Sequence, residues 1–250
     1  AAPRGQCQQE REDGGPRAGA GQAATRGATA AGLAGRGLGR AVVGRDARVS
    51  GVMLREAVTA GLLSVGCRPV DAGLCPIPSF QILTRAAQAR GGISITASHN
   101  PGEWNGLKFV GGEGFFLDRA RFAEFIEIYH QGEFALVRAD KMKPPAAEEA
   151  PLRPHLDRLL AALDVDLIRR GRFRVAVDCA SGAGAALVPE FLRRLGCRPV
   201  LVNAVPHGRF ERPPEPVPEN LGALARAVRS ARAAQGGGTG GGKSLDRQGP

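Results

Sequence analysis

The segment Gly92 to Phe109, GISITASHNPGEWNGLKF, holds the residues best suited to chemistry. Ser98 offers a hydroxyl nucleophile, His99 an imidazole beside it, and Lys108 an ammonium on the stretch that follows. Ile93-Ser94-Ile95-Thr96 reads as a buried-type strand. Pro101 holds Asn100 extended, while Gly102 and Gly106 free the backbone. Ser98 therefore falls at the carboxyl end of a strand, where open α/β sheets place their ligands. Lys108 can point back to the same spot. A serine hydrolase does not fit, because GxSxG is absent and an adjacent histidine is badly placed to take the serine proton. A purely structural loop does fit, since Ser, Asn and Pro are ordinary turn formers and His99 can satisfy a backbone group.

The elements that must position this loop follow from periodicity and punctuation. A strand at Ala41-Val42-Val43 ends at Gly44-Arg45-Asp46, and Ser50 is the expected N-cap of a helix through Leu54, Val58, Leu62 and Leu63 that Gly66 closes. A strand at Pro69-Val70-Asp71 follows, and after the Pro76/Pro78 loop Ser79 is the expected cap of a helix carrying Phe80, Ile82 and Leu83. Leu107 to Val110 is a further strand, then a helix runs over about 118–130. Phe115, Phe116, Phe122 and Phe125 read as core positions. Residues 139–151 read as a linker, 152–170 as a helix and Phe173 to Asp178 as a strand. The chain repeats itself: Val42 to Val70 and Val175 to Val200 are each strand, glycine-bearing loop, helix, the pentapeptide GCRPV and a strand. That is the βαβ unit of an α/β sheet, present twice, and it points to two tandem domains of similar topology.

Composition narrows the function. The net charge of +10 is mostly arginine, with four lysines at 108, 141, 143 and 243. The arginines are dispersed and not interleaved with aromatics that stack bases, which argues against nucleic-acid binding. A basic protein that handles sugar phosphates is the simpler account. The five cysteines, Cys7, Cys67, Cys75, Cys179 and Cys197, are odd in number and lack CxxC spacing, which suits a reducing compartment. No apolar stretch approaches a membrane span and no signal pattern opens the chain, so a cytoplasmic protein is expected.

A third reading of the loop comes from resemblance. TASHNP followed by NGLKF resembles the active-site signature of the α-D-phosphohexomutases, which include phosphomannomutase, phosphoglucomutase and phosphoglucosamine mutase. VVGRDARVSG resembles that family's first strand and loop, VDAGLCPIPSF its second strand and turn, and VAVDCASGAG and RPPEPVPENL its second domain. The similarity runs from about Gly39 to Arg232. The resemblance implies an α/β fold of tandem similar domains, each a mixed sheet flanked by helices. It implies intramolecular phosphoryl transfer on a hexose phosphate through a phosphoserine, Ser98, and a bisphosphate intermediate. It also implies a Mg²⁺ bridging the Ser98 phosphate, His99 assisting proton transfer, and Lys108 acting as general base or acid or by electrostatic stabilisation. Arg45, Asp46 and Arg48 match the family's GRDxRxSG segment, read as shaping the fold.

The resemblance also locates departures. The family's DGDxDR loop, whose aspartates hold the metal, is not found, and the lone Asp246-Arg247 lacks the other carboxylates. The sugar-reading and phosphate-gripping segments of later domains are likewise not found, nor is a GTSGIRG-like start. The expected organisation is a non-native or disordered tail at 1–38, a first domain at 39–140, a partial second domain at 152–232 and a second such tail at 233–250. Out-of-frame translation, an incomplete gene product and genuine disorder all remain open for the tails. On this reading the chain by itself is inactive, and a non-catalytic remnant or interaction fragment is the alternative to a working enzyme.

Overall fold

The computed structural model describes residues 39–236. The expected tail at 1–38 and Cys7 lie outside them, as do residues 237–250. In chain order the elements are β1 (Arg40–Arg45), α1 (Gly51–Ser64), β2 (Arg68–Leu74), α2 (Ile77–Ala86), β3 (Gly91–Ile95), β4 (Leu107–Gly111), α3 (Arg119–Gln131), β5 (Ala146–Ala147), α4 (Arg153–Ala161), α5 (Val165–Gly171), β6 (Arg174–Asp178), α6 (Gly184–Arg194), β7 (Arg198–Val202) and α7 (Gly222–Gly236).

The first sheet has the order β4-β3-β1-β2-β5. β3, β1, β2 and β5 run parallel, and β4 is antiparallel to β3, with Ser94 opposite Lys108. Side chains alternate across the sheet, so its two faces feed two cores. Val43, Ile93 and Ile95 pack with Leu54, Val58 and Leu62 of α1 on one face. Val42, Val70 and Ala72 pack with Phe80 and Leu83 of α2 on the other. Phe80 is fully buried, and its ring lies where Cβ atoms on Gly44 and Gly92 would otherwise stand, at 2.7 and 2.6 Å. Glycine in both β1 and β3 thus lets α2 approach the sheet; burying such a ring contributes about 1.5–3 kcal/mol.

The repeat read from the sequence is a repeat in space. β6-α6-β7 forms a second parallel pair, with Arg174 opposite Arg198 as Arg40 is opposite Arg68. Both GCRPV segments place their glycine at positive φ, 76° at Gly66 and 71° at Gly196. In both, the cysteine N–H bonds back to a helix carbonyl at 3.0 Å, Cys67 to Leu62 and Cys197 to Leu192. Among the described residues the second sheet has two strands, both parallel, so the mixed character expected of each sheet is found in the first.

Several local expectations are corrected. Ser50 does not cap α1 with its side chain; its backbone is already helical, and its Oγ accepts from Asn105 Nδ2 at 3.0 Å. Ser79 does not cap α2, which begins two residues earlier after Pro76, a residue suited to a helix start. Ser79 Oγ instead meets His155 Nδ1 of α4 at 2.8 Å. The helix expected over 152–170 is two helices, because Asp164 accepts from the Leu167 N–H at 2.9 Å and starts a new one. The 139–151 linker contributes β5, which extends the sheet beside β2. Of the four phenylalanines read as core, Phe125 is buried, while Phe115, Phe116 and Phe122 are exposed. They sit beside β4, the last strand on that side, where no further described strand covers them.

Candidate active site

β1 and β3 end side by side, and the loops that leave them build the site together. The Asp46 N–H donates to the Ile95 carbonyl at 2.9 Å, which ties the start of one loop to the end of the other strand. The Asp46 carboxylate then accepts from the Arg48 N–H, from Arg48 Nε at 3.0 Å and from Thr96 Oγ1 at 2.7 Å. Thr96 Oγ1 in turn accepts from the Ser98 N–H at 3.2 Å.

Arg48 is fully buried, and its guanidinium is completely used. Nε donates to Asp46; one terminal nitrogen donates to the carbonyls of Pro101 and Trp104, the latter at 2.8 Å; the other donates to Ser98 at 3.1 Å and Asn100 at 2.7 Å. Five donors meet five acceptors, the full capacity of the fork. The loop from Ser98 to Trp104 is therefore wrapped, carbonyls inward, around one cation. Stripping the Arg48 side chain from this nest would take one donor from each of four carbonyls and from a carboxylate, of which Pro101 keeps the Trp104 N–H and Asp46 keeps Thr96 Oγ1, a loss of about 3–5 kcal/mol by analogy with broken buried ion pairs. The sequence reading of Arg45, Asp46 and Arg48 as shaping the fold agrees with this geometry, but it gave no sign that Arg48 holds the Ser98 loop itself.

The wrapped loop bends at Ser98, whose φ is +58°. A left-handed serine costs about 1–2 kcal/mol and persists only where its surroundings impose it. Here the imposing partners are Thr96 on its N–H and Arg48 on its carbonyl. Ser98 and His99 are exposed, and Ser98 Oγ lies 3.4 Å from His99 Nδ1. Both open onto a cleft of about 370 Å³ whose other wall is the second repeat, including Cys179 to Gly184 without Ser181, Phe210 and Pro214. The competing nucleophiles of that cleft are disabled. Burial pushes the Cys75 thiol up to about 12, and burial followed by the neighbouring Asp178 charge raises Cys179. Ser94 is buried, and Thr96 Oγ1 is engaged with Asp46.

Lys108 stands elsewhere. It is half-buried on β4, its Nζ lies 5.8 Å from the Phe116 ring centroid, and it lines a separate hollow with Leu107, Phe109 and Phe122. The structure thus brings Ser98 and His99 together and leaves Lys108 off the cleft lining.

The second wall is held by Asp178 at the end of β6. Its carboxylate accepts from Arg212 Nε at 2.7 Å, from the Ala180 N–H at 2.9 Å and from Asn203 Nδ2 at 3.0 Å. Burial alone would raise its pKa; these donors outweigh that and hold it below the ordinary carboxylate range. The described residues do not fit a Mg²⁺ site. The one carboxylate lining the cleft is Asp46, already engaged with Arg48 and Thr96, and no cluster of three or more His, Cys, Asp or Glu is present among them. A hard cation needs several free oxygens. No helix of the described residues is long and apolar enough to cross a membrane.

Comparison with known proteins decides the family. Residues 19–136 match the family described as phosphoglucomutase/phosphomannomutase, alpha/beta/alpha domain I, and residues 153–241 match its alpha/beta/alpha domain II. The chain belongs to the phosphoglucomutase/phosphomannomutase family. A Thermococcus kodakarensis phosphoglucomutase/phosphomannomutase is 40% identical over 190 residues, covering 76% of this chain and 41% of that protein. A Methanopyrus kandleri protein named as a phosphoglucosamine mutase is 38% identical over 198 residues, covering 79% of this chain and 43% of that protein. The crystal structure of a Thermus thermophilus protein described as a phosphomannomutase superposes with a TM-score of 0.73 at 27% identity. It covers 82% of this chain and 47% of that one. The chain thus spans less than half the length of the curated relatives it matches.

Proposed function

We propose that this chain carries the phosphoryl-transfer half of a phosphohexomutase and that Ser98 is the carrier. The observation that supports this most is the Ser98 loop itself. An exposed serine in a strained left-handed conformation, bonded through both its N–H and its carbonyl, stands at the carboxyl end of a parallel strand and opens onto a cleft. Backbone strain that the surroundings impose is characteristic of functional positions, and a family of sugar-phosphate mutases gives the serine its chemistry.

In the proposed reaction a phosphoryl group on Ser98 Oγ passes to a free hydroxyl of a hexose monophosphate. The P–Oγ bond breaks, a P–O bond to the sugar forms, and the hydroxyl proton is passed on, with Ser98 Oγ taking one back. His99 is proposed for that return on the resemblance, and the 3.4 Å between its Nδ1 and Oγ supports it. The reverse step at the other end of the reoriented bisphosphate restores phospho-Ser98 and releases the isomer. Lys108 lines a separate hollow, so its part as general base or acid, or as a stabilising ammonium, rests on the resemblance. The described residues do not fit a Mg²⁺, so no step is routed through one. The relatives' names cover glucose, mannose and glucosamine phosphates and, in one phosphopentomutase, a pentose phosphate, so the sugar is left as a class.

The test is phosphoryl loading. Incubated with glucose 1,6-bisphosphate, the chain should gain the mass of one phosphoryl group, mapped by peptide sequencing to Ser98 and lost in Ser98→Ala. A label on another residue, or one that survives Ser98→Ala, overturns the assignment. No label, in this chain and in a full-length version alike, favours the non-catalytic alternative.

A further inference from the structure

We infer that Phe210, in the second repeat, is a positioning residue for Ser98 and that it acts through Arg48. The inference deepens the proposed function and rests on Ser98 as the carrier. A guanidinium is a plane with an edge and two faces. The edge of Arg48 is exhausted by Asp46 and the four loop carbonyls, so only a face is left to be shielded from water. The Phe210 ring covers one, with its centroid 5.1 Å from the Arg48 Cζ. An aromatic face attracts a cation that lacks water, and a dry cation holds its carbonyl ligands more tightly than a wet one.

The same ring also reaches the loop. A Cβ on Gly102 would stand 3.5 Å from Phe210 Cδ2, an ordinary contact distance, so the ring faces the loop backbone at about the width of one methyl group. Phe210 is itself anchored on both sides. Upstream, Gly208 at φ +73° presses its backbone onto Ala47 and Arg48, where a Cβ would stand 3.1 Å from the Arg48 Cα. Downstream, Arg212 is paired with the buried Asp178 carboxylate at 2.7 Å. Gly208 to Arg212 is thus a strap from the second repeat that closes over the hub of the Ser98 loop. The left-handed Ser98 backbone then depends on a ring supplied by the other half of the chain.

The chain contains its own reporter. Trp104 is its single tryptophan, it lies in the wrapped loop, and its carbonyl is one of the four that Arg48 binds. Acrylamide quenching of Trp104 and the rate of Ser98 loading by glucose 1,6-bisphosphate are measured in wild type, Phe210→Ala, Phe210→Leu and Phe210→Tyr, each checked for folding by far-ultraviolet circular dichroism. Phe210→Ala and Phe210→Leu should raise the quenching constant, by up to about twofold, as a loosened loop exposes the covered remainder of an indole that is already 41% accessible. They should slow loading about tenfold at unchanged half-saturation by the bisphosphate, as expected when alignment and not binding is lost. Phe210→Tyr, which keeps the aromatic face, should match wild type in both. Leucine behaving as phenylalanine overturns the inference, since apolar filling would then suffice. So does slower loading with unchanged quenching. If neither this chain nor a full-length version takes a phosphoryl group, the proposed function fails, while the Trp104 arm still decides whether Phe210 holds the loop. Should Phe210→Ala not fold, the leucine and tyrosine pair carries the same comparison.

Discussion

Gly208 lies with its bare Cα against the carbonyl oxygen of Ala47, so close that no methyl group fits between them. This contact, together with the Phe210 ring over Arg48, joins the second repeat to the loop that carries Asp46 and Arg48.

Gly208→Ala should therefore loosen the join. Its φ of +73° already penalises any side chain by about 1 kcal/mol, and the clash with Ala47 adds to it. Gly132→Ala is the control: its φ is +66° but nothing lies within 4 Å of where its Cβ would stand, so the conformational penalty acts alone. The expected result is a clearly larger fall in urea midpoint for Gly208→Ala than for Gly132→Ala. Equal falls would show that the Ala47 contact relaxes freely.

Arg48→Lys keeps the charge and loses the fork. An ammonium has three donors where the loop and Asp46 present five acceptors, so at least two of them lose their bond to residue 48 in a buried site. Destabilisation of about 3 kcal/mol is expected, with faster proteolysis near residues 98–104. A lysine variant as stable as wild type would mean that charge alone organises the loop.

His155 sets a pH dependence. Burial lowers its pKa, and Ser79 Oγ at 2.8 Å from Nδ1 suits the neutral ring as acceptor. The unfolded chain then binds a proton that the folded chain does not, so stability falls as pH drops below the unfolded value of about 6.5 and levels off below the folded one. Urea unfolding between pH 7.5 and 5 should show this slope in wild type and a shallower one in His155→Gln. Identical slopes would move the proton uptake to another group.

Ser98→Ala should leave the urea midpoint unchanged within about 1 kcal/mol, since an exposed hydroxyl is removed and alanine tolerates the left-handed region no better than serine does. The wild-type chain by itself should not sustain interconversion of glucose 1-phosphate and glucose 6-phosphate with Mg²⁺ and bisphosphate present: with no free carboxylate set among the described residues each transfer is slow, so a single stoichiometric loading of Ser98 can be followed where repeated turnover cannot. Turnover that vanishes with Ser98→Ala in a coupled dehydrogenase assay would overturn that expectation.

Much of the fold was legible because it is written in local patterns. The strand at Val42-Val43, the helix through Leu54, Val58 and Leu62, and the duplicated GCRPV are contiguous signals, and each has its counterpart in the structure. The loop at Ser98 was legible as a motif. What was not legible depends on partners far apart in sequence. Ser50 and Ser79 have the composition of caps, but Asn105 and His155 claim their hydroxyls. Arg48 is one arginine among many until the four carbonyls fold around it. The split at Asp164 was present as a capping residue, and an unbroken apolar period across 152–170 concealed it.

The pairing of Ala146 and Ala147 with β2 changes how the two halves can move. A connection that enters the sheet is no free tether. α4 continues the attachment, with His155 on Ser79 and the preceding Leu152 against the α2 core, while its Leu160 packs on Leu192, Leu195 and Cys197 of the second repeat and its Asp157 meets Arg194 of α6 at 3.7 Å. One short helix is thereby gripped from both sides. The join between the halves is a packed layer, and the cleft wall that carries Phe210 takes its position from that layer as well as from the ring's own contact with Arg48.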